Sequence, residues 1–360
     1  MRHLKGSDFL EKRDIASMTL EEINAEFKSL SEPVYRAKQV YLWLRKGVTD
    51  FEEMTNLPKA LRERLREFFI IKSVKIKKRL ESRVDDTVKY LYELSDGELV
   101  ESVLMKYHHG YSMCISSQVG CRMGCSFCAS GLGGLYRNLT PSEMLAQIQV
   151  ASKDRGIRVS NVVMMGMGEP LDNLENTVRF LNLVSDPDGL SIGLRHISVS
   201  TSGLVPKIYE FMEYKFPVTL SVSLHAPTDE IRDKIMKINH AYNTEKLLKA
   251  CKDYIDKTGR RISFEYALID GVNNSDECAK ILAKRLSGML CHLNLIPANP
   301  VKENDFERPA DKKVQHFCEL MNRLGINTTV RRTLGADIEA SCGQLRQRHL
   351  ESEKKGGELL

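Results

Sequence analysis

The sequence predicts an α/β fold built on a parallel sheet. From residue 111 onward, strand-like runs alternate with helix-like stretches such as PSEMLAQIQVASKDRG, and a few tens of residues separate one run from the next. This alternation is typical of βα units whose strands pair in parallel. The six strand-like runs are MCISSQ, NVVMM, HISVST, VTLSVSLH, ISFEYALI and HLNLIP. Their spacing suits an open doubly wound sheet or a partial barrel, and both folds gather their chemistry at the carboxyl ends of the strands.

A small helical domain is predicted before the sheet, over residues 1–80. The segments SMTLEEINAEFKSL, EPVYRAKQVYLWLRKG and NLPKALRERLREFF carry apolar residues at helical spacing. Ser17 or Thr19 is expected to cap the first helix. Gly47 is expected to end the second, and Pro58 to lie near the first turn of the third.

A β-hairpin extension is predicted over residues 81–110. The segment TVKYLYELSDGELVESVLMKY alternates with period two on both sides of Asp96-Gly97, which is a strong hairpin signal. Residues 111–345 are then expected to form the catalytic core. The last residues, 346–360, have the composition of a flexible tail.

The composition is that of a globular protein with room for one large core and a smaller domain, at 360 residues and 42% hydrophobic content. The longest apolar runs are far shorter than the roughly 20 residues of a membrane span, and the charged start MRHLKGSDFLEKR lacks a signal-peptide core. We therefore expect a cytoplasmic protein with no membrane partner. Nine cysteines favour metal-binding or catalytic thiols over a disulfide framework. Four of them, in apolar patterns, are interpreted as buried small hydrophobes: Cys251, Cys278, Cys291 and Cys318.

Positive charge is concentrated between Lys59 and Arg79, where nine Lys and Arg residues stand against Glu63 and Glu67. A polyanion such as RNA would bind this stretch with release of counterions. The alternative is a solvated helix face followed by a Lys-rich strand.

The segment CRMGCSFCAS places Cys121, Cys125 and Cys128 directly after the first predicted strand of the sheet. The C-x3-C-x2-C spacing lets three thiolates bind three irons of one [4Fe–4S] cluster and leaves the fourth iron open for a small molecule. A zinc site would need a fourth ligand, and Cys114 and the His108-His109 pair lie ahead of the loop instead of in it.

Further motifs follow the cysteines in order: MMGMGEPLDN, SVSTSGLVP, SVSLHAP, LIPANP and GADIEASCGQL. The cysteine motif followed by a Gly-rich GMGEP resembles the radical S-adenosylmethionine (SAM) superfamily. With CISSQVGCRMGCSFCASG, the whole set resembles the RlmN/Cfr family of radical SAM RNA adenine methyltransferases, from about residue 14 to residue 346. This resemblance implies a partial (β/α)6 barrel of the radical SAM type, a [4Fe–4S] cluster, and SAM chelated by the open iron.

The resemblance also implies a set of SAM contacts: Gly168, Glu169, Ser200, Ser223, Leu224, His225 and Asn299. From the residues alone, Gly166 and Gly168 let backbone approach a ligand closely, and Glu169 offers a carboxylate to an α-amino group. A tight strand-to-helix turn would need the glycines but not the acid. A histidine at a strand end is otherwise a packing or surface residue, and an Asn before Pro otherwise initiates a turn.

Three further residues are assigned to the chemistry by the resemblance: Glu101, Cys114 and Cys342. One SAM methylates the Cys342 thiolate, and a second SAM, cleaved reductively, gives a 5′-deoxyadenosyl radical that takes a hydrogen from that methyl group. The methylene radical adds to adenine, Glu101 or Cys114 accepts the ring proton, and Cys114 attacks Cys342 to leave a transient disulfide. Without the resemblance, Cys114 is a strand core residue, Cys342 a loop thiol and Glu101 an exposed charge on an edge strand.

The implied substrates are an adenosine of 23S rRNA in the peptidyl-transferase centre and the adenosine next to the anticodon in tRNAs, both methylated at carbon-2. The segments GMGEPLDN and TDFEEMTNLPKALRE favour the RlmN branch over the Cfr branch, which methylates carbon-8 of the rRNA adenosine. An external, flavodoxin-like electron donor and a monomer are expected. A non-enzymatic alternative is an iron–sulfur or zinc RNA-binding module for ribosome assembly, which leaves Cys114, Cys342 and the SAM motifs unexplained.

Overall fold

The computed structural model describes residues 12–298, 306–338 and 340. Ten α-helices lie in this part of the chain: Leu20–Ser29 (α1), Val34–Arg45 (α2), Lys59–Phe68 (α3), Pro141–Arg155 (α4), Leu174–Ser185 (α5), Val205–Glu213 (α6), Asp229–Ile235 (α7), Thr244–Thr258 (α8), Asp276–Leu286 (α9) and Asp311–Arg323 (α10). Short 3-10 helices lie at Ile15–Ser17, Phe51–Glu53, Ala129–Gly131, Leu194–His196, Lys237–His240 and Ala336–Ile338. None of the helices in the described residues is both long and apolar enough to span a bilayer.

The described strands are Arg13–Asp14 (β1), Phe69–Ile70 (β2), Val74–Glu81 (β3), Val88–Leu94 (β4), Leu99–Tyr107 (β5), Gly110–Cys114 (β6), Gln118–Gly120 (β7), Leu135–Asn138 (β8), Val159–Met164 (β9), Ile197–Thr201 (β10), Thr219–Ser223 (β11), Ile262–Leu268 (β12), Cys291–Pro297 (β13) and Thr328–Val330 (β14). Ten of them form one sheet in the order β14-β13-β12-β11-β10-β9-β6-β5-β4-β3. Neighbours from β6 to β14 pair in parallel, whereas β3 to β6 form an antiparallel meander.

Strand order decides between the two predicted parallel folds. Strands β9 to β14 join the sheet in chain order and always on the same side. A doubly wound sheet would contain a switch point at which the order reverses. Right-handed crossovers in one direction place the connecting helices on one face. The fold is therefore an α/β partial barrel, as the resemblance implied, with β14 as a short strand that the sequence did not reveal.

The two faces of the parallel sheet differ in polarity. Side chains such as Val199, Leu220 and Phe264 are fully buried between the sheet and the helices. Because successive residues of a strand point to opposite faces, the residues between them lie on the other side, which we call the inner face. Its alternate positions carry polar side chains: Ser198, Ser200, Ser221, Ser223, Ser263, Glu265 and Asn294.

The N-terminal helices form a separate small core against the main domain. Phe27, Tyr41 and Leu65 are fully buried within it. Thr19, not Ser17, caps α1, because its side chain accepts the Glu22 N–H while the Glu22 carboxylate accepts the Thr19 N–H. Contacts such as the 2.6 Å hydrogen bond from the Tyr41 hydroxyl to Asp186 Oδ2 join this core to the end of α5.

The hairpin predicted around Asp96-Gly97 is formed by β4 and β5. It extends the parallel sheet directly, because β5 also pairs with β6. Strand β3 adds one more strand at the edge, so the helical part of the described N-terminal region ends at Phe68 and the sheet begins before residue 80.

Candidate active site

The three clustered cysteines lie in residues 121–128, which we call the cysteine loop. The loop follows β6, the first parallel strand, and the short strand β7, so it lies beyond the carboxyl end of β6. The Cys121 N–H donates to the Gly134 carbonyl at 2.9 Å, and the Cys128 N–H donates to the Cys125 carbonyl at 3.1 Å. The loop also contacts α7, because the Ser126 N–H donates to the Ile235 carbonyl at 3.0 Å.

The thiols of the cysteine loop are close enough to affect one another. Burial raises the pKa of Cys121 to about 12, and Cys128 adds to this rise. Burial also raises the pKa of Cys125, with contributions from Cys128 and Cys121. Thiols in such a setting become thiolates when a metal binds them, and three thiols on three irons match the donor set of a [4Fe–4S] cluster with one open iron. In the part of the chain that the structure describes, no three His, Cys, Asp or Glu side chains converge as the ligands of a single ion.

Gly166 and Gly168 allow two loops of the same chain to pack together. A Cβ at Gly166 would lie 2.7 Å from the carbonyl carbon of Ile115, and a Cβ at Gly168 (φ +103°) would lie 2.6 Å from Cβ of Gln118. The Glu169 N–H donates to the Gln118 side-chain oxygen at 2.8 Å. Close contact with the segment that leads into the cysteine loop therefore requires glycine at both positions, while the approach of a ligand to this backbone stays a prediction.

Glu169 ties together the carboxyl ends of β9 and β10. Its carboxylate is buried and accepts the Leu171 N–H at 3.1 Å and the Ser202 N–H at 2.6 Å. Burial raises the pKa of Glu169, and these hydrogen bonds oppose the rise. Because each carboxylate oxygen has two lone pairs, Glu169 retains acceptor capacity for an α-amino group.

The other strand-end residues differ in what they present. Ser200 and Ser223 are half-buried on the inner face, and the Ser200 hydroxyl donates to the Met164 carbonyl at 2.6 Å. Leu224 packs in the core between sheet and helices, and its N–H donates to the Glu265 carbonyl at 3.1 Å. Asn299 lies outside the described residues.

His225 connects the end of β11 to the cysteine loop. Its backbone is left-handed (φ +57°), its Nδ1 accepts the Ala267 N–H at 2.8 Å, and its ring packs edge-on against Phe127 at 4.7 Å between centroids. Burial, with a smaller effect of Arg232, lowers the pKa of His225 to about 3. The imidazole is therefore neutral, with its proton on Nε2.

Glu101 is not an exposed charge on an edge strand, which was the alternative to a catalytic role. Strand β5 lies inside the sheet between β4 and β6, and the Glu101 side chain is 4% exposed. Its Oε1 lies 3.5 Å from Nζ of Lys89, which is equally buried. Glu101 shares the inner face with Val103, whose cross-strand neighbour is Cys114.

Cys114 lies in a buried cluster on the inner face with Val103 and Met105. Leu334 and Ala340, from the C-terminal segment, pack against this cluster. That segment is anchored on the base of the hairpin, where the Gly335 N–H donates to Asp85 Oδ2 at 2.9 Å. Cys342, the predicted methyl carrier, lies outside the described residues, and no disulfide joins any of the described cysteines.

The basic stretch from Lys59 to Arg79 is less free than its composition suggests. Six of its nine cations form ion pairs with carboxylates, among them Arg66 with Asp50 and Lys77 with Glu93. Lys75 and Lys78 are exposed on β3 and form no ion pair within the described residues. The positive surface that these ion pairs leave is therefore smaller than the composition suggests, and Lys75 and Lys78 place it on the edge strand β3.

Comparison with known proteins identifies the family. The Radical SAM superfamily matches residues 115–281, and the Ribosomal RNA large subunit methyltransferase N-terminal domain matches residues 13–71. The probable dual-specificity RNA methyltransferase RlmN of Lachnoclostridium phytofermentans is 54% identical over 338 residues, which are 94% of this chain and 95% of that protein. This chain belongs to the RlmN family. The RlmN relative of Alkaliphilus oremlandii is 50% identical over 95% of this chain and all of its own length.

A solved structure agrees with the RlmN fold described above. The crystal structure of a radical SAM methyltransferase from Sphaerobacter thermophilus is 42% identical and superposes with a TM-score of 0.88. The match covers 92% of this chain and 98% of the other. The expected family and the radical SAM fold are confirmed.

Three residues that hold the site together were missed by sequence reasoning: Gln118, Lys89 and Arg232. Gln118 also donates through Nε2 to Asn138 and Asp172, so it links three segments around the cysteine loop. The hairpin register around Asp96-Gly97 was the available signal for Lys89, because it sets Lys89 opposite Val103 and beside Glu101. No local pattern marks Arg232, whose partners come from distant segments.

Proposed function

We propose that this chain methylates carbon-2 of an adenosine in 23S rRNA, at the peptidyl-transferase centre, and of the adenosine next to the anticodon in tRNAs. The names of its close relatives, dual-specificity RNA methyltransferases, support RNA as the substrate. The observation that carries the proposal is the inner-face grouping of Glu101 and Cys114 with the segment that ends at Ala340, two positions before Cys342.

Cys121, Cys125 and Cys128 would hold the [4Fe–4S] cluster. SAM would bind at Gly168, Glu169, Ser200, Ser223, Leu224, His225 and Asn299, of which Leu224 is restricted to backbone contacts by its buried side chain. When bound, the cluster supplies the electron that cleaves SAM, and two SAM molecules are consumed per turnover.

The chain's own groups would handle the one-carbon unit and the proton. The Cys342 thiolate would take the methyl group as a thioether, which holds the carbon until RNA arrives. A carboxylate oxygen of Glu101 would accept the ring proton of adenine. Once the adduct has lost one electron, for which the cluster would serve as acceptor, the Cys114 thiolate would attack Cys342 sulfur and break its bond to the carbon. The released carbon would take a proton to become the methyl group, and an external donor would reduce the resulting disulfide.

The helical domain and the adjoining edge strand β3 would position the RNA and take no part in the chemistry. Lys75 and Lys78, the exposed cations of the edge strand, would contact phosphates. Phosphate contacts of this kind fix orientation and carry no sequence information.

Mass spectrometry of nucleosides tests the proposal. 23S rRNA and tRNA lacking the modification are incubated with cluster-loaded protein, SAM and a reductant, with Cys342→Ala as the control variant. We expect 2-methyladenosine in both RNAs and none with the variant. Finding 8-methyladenosine would assign a Cfr-type reaction, and the absence of methylation together with the absence of SAM cleavage would favour an RNA-binding module.

A further inference from the structure

Arg232 of α7 is a fully buried cation beside the cysteine loop. All five of its N–H groups are satisfied by oxygens. Nε donates to the Leu224 carbonyl at 3.1 Å. Nη1 donates to Asn239 Oδ1 at 3.0 Å and to the Tyr242 carbonyl at 3.4 Å. Nη2 donates to the carbonyls of Ser202 at 2.8 Å and Ser223 at 3.0 Å. One side chain thus binds residues at the carboxyl ends of β10 and β11, where the SAM contacts are proposed.

These acceptors satisfy the hydrogen bonds of Arg232 but not its charge. All five are carbonyl or amide oxygens, and in the described part of the chain no carboxylate forms an ion pair with the guanidinium. A buried charge is costly unless a charge of opposite sign stands near it. Burial lowers the pKa of Arg232 to about 10, and the carboxylates of Asp229 and Asp233 on the same helix oppose this without forming an ion pair with the guanidinium.

The cysteine loop is held against the same helix. Ser126, next to Cys125, donates its N–H to the Ile235 carbonyl three residues after Arg232, and Cys125 packs in a small cluster with Ile235 and Met236. Arg232 therefore has a fixed position relative to the loop that would carry the cluster.

We infer that Arg232 is the buried counter-charge of the iron–sulfur cluster and raises its reduction potential. The inference rests on the proposed function, because it requires the cluster at Cys121, Cys125 and Cys128. Reduction adds one electron, taken from the external donor, to a cluster whose three thiolates already make it anionic. A cation held in a low-dielectric setting stabilises the reduced form more than the oxidised form. Arg232 is thus a positioning residue that acts through the cluster and through the strand ends.

Two substitutions separate charge from hydrogen bonding. Arg232→Gln keeps amide donors and removes the charge, whereas Arg232→Lys keeps the charge with fewer donors in a different geometry. The half-buried Arg285, on α9, provides the control variant Arg285→Gln. Each protein is reconstituted anaerobically and titrated reductively, with the reduced cluster followed by electron paramagnetic resonance.

We expect a more negative midpoint potential in Arg232→Gln, a value close to wild type in Arg232→Lys, and no shift in Arg285→Gln. Equal potentials in wild type and Arg232→Gln would overturn the inference, even if both Arg232 variants are less stable. If Arg232→Gln assembles no cluster, the iron content of the reconstituted proteins is measured instead. An iron content restored to the wild-type value in Arg232→Lys supports the inference, and an equal loss of iron in both variants overturns it. A wild-type protein that forms no [4Fe–4S] signal would contradict the proposed function itself.

Discussion

The ammonium of Lys89 and the carboxylate of Glu101 form a buried ion pair in the interior of the sheet, with Nζ and Oε1 3.5 Å apart. Strands β4 and β5, which carry them, have neighbours on both sides. Removing one partner of such a pair strands the other charge in a low-dielectric setting, which typically costs about 3–5 kcal/mol. An intact buried pair gives little net stability, because the desolvation of both charges offsets most of their attraction.

Lys89→Met is therefore expected to lower the free energy of unfolding by about 3–5 kcal/mol, while Lys89→Met/Glu101→Leu recovers most of that loss. Denaturant unfolding of the three proteins measures both effects. A double variant as unstable as Lys89→Met would show that the uncompensated charge is not the cause.

Glu101→Gln should abolish RNA methylation and leave SAM cleavage intact if Glu101 accepts the ring proton.

Gly168→Ala is expected to displace the GMGEP loop. The new Cβ would lie 2.7 Å from the backbone nitrogen of Gln118, and φ of +103° is unfavourable for alanine. A strained backbone of this kind costs about 1–3 kcal/mol, and we expect a loss of SAM affinity as well because Glu169 moves with the loop. Gly133→Ala is the matched control, since a Cβ there meets nothing within 4 Å. Equilibrium SAM binding that is equal in the two variants would contradict this account of Gly168.

The buried His225 predicts a pH dependence of stability. Its pKa falls from the ordinary 6.5 to about 3 in the folded protein, so between these values the unfolded chain binds a proton that the folded chain does not. Stability therefore falls as the pH is lowered through this window, by about 2 kcal/mol between pH 7.5 and pH 5 from this residue.

Unfolding of wild type and His225→Gln at these two pH values checks the contribution of His225. The difference in unfolding free energy between the two pH values should be smaller in His225→Gln than in wild type. His240→Gln is the control, because it shows the effect of losing an exposed histidine. A His225→Gln protein with the same pH dependence as wild type would show that His225 is protonated in the folded state near its ordinary pKa.

The sequence was sufficient to predict those parts of the structure that depend on local patterns. Period-two alternation located the hairpin around Asp96-Gly97, and the spacing of the cysteines placed them in a loop after the first parallel strand. The order of the strands in the sheet could not be predicted from the sequence, because strands and helices alternate along the chain in the same way in a doubly wound sheet and in a partial barrel. Arg232 was also beyond reach, since its five acceptors lie in segments that only the folded chain brings together.

The predicted RNA surface is expected to depend on the exposed edge-strand cations. Lys75→Glu/Lys78→Glu should weaken RNA binding and reduce the slope of affinity against salt, because fewer counterions are released. Lys280 and Lys284, exposed on α9, give the control variant Lys280→Glu/Lys284→Glu with the same change in net charge. Binding measured at several salt concentrations distinguishes the two. An equal loss of affinity in both variants would indicate a general charge effect and no particular surface.

The proposed mechanism, in which Cys342 carries the methyl group and Cys114 releases it, is called the two-cysteine mechanism below. Of the described residues, Cys114 is the one on which this mechanism depends most. It lies in the inner-face cluster against which Leu334 and Ala340 pack, so the chain approaches it shortly before Cys342. If Cys114 resolves the adduct, Cys114→Ala should transfer the one-carbon unit to RNA and then stop, because no thiolate remains to attack the Cys342 sulfur. Cys342→Ala should form no adduct, and Cys318→Ala, which removes a buried core thiol, should turn over normally.

The most direct test is a denaturing gel of Cys114→Ala after incubation with labelled RNA, SAM and reductant. We predict a protein–RNA conjugate that survives both denaturant and thiol, since a thioether link, unlike a disulfide, is not reduced. Normal methylation by Cys114→Ala, with no conjugate on the gel, would contradict the two-cysteine mechanism.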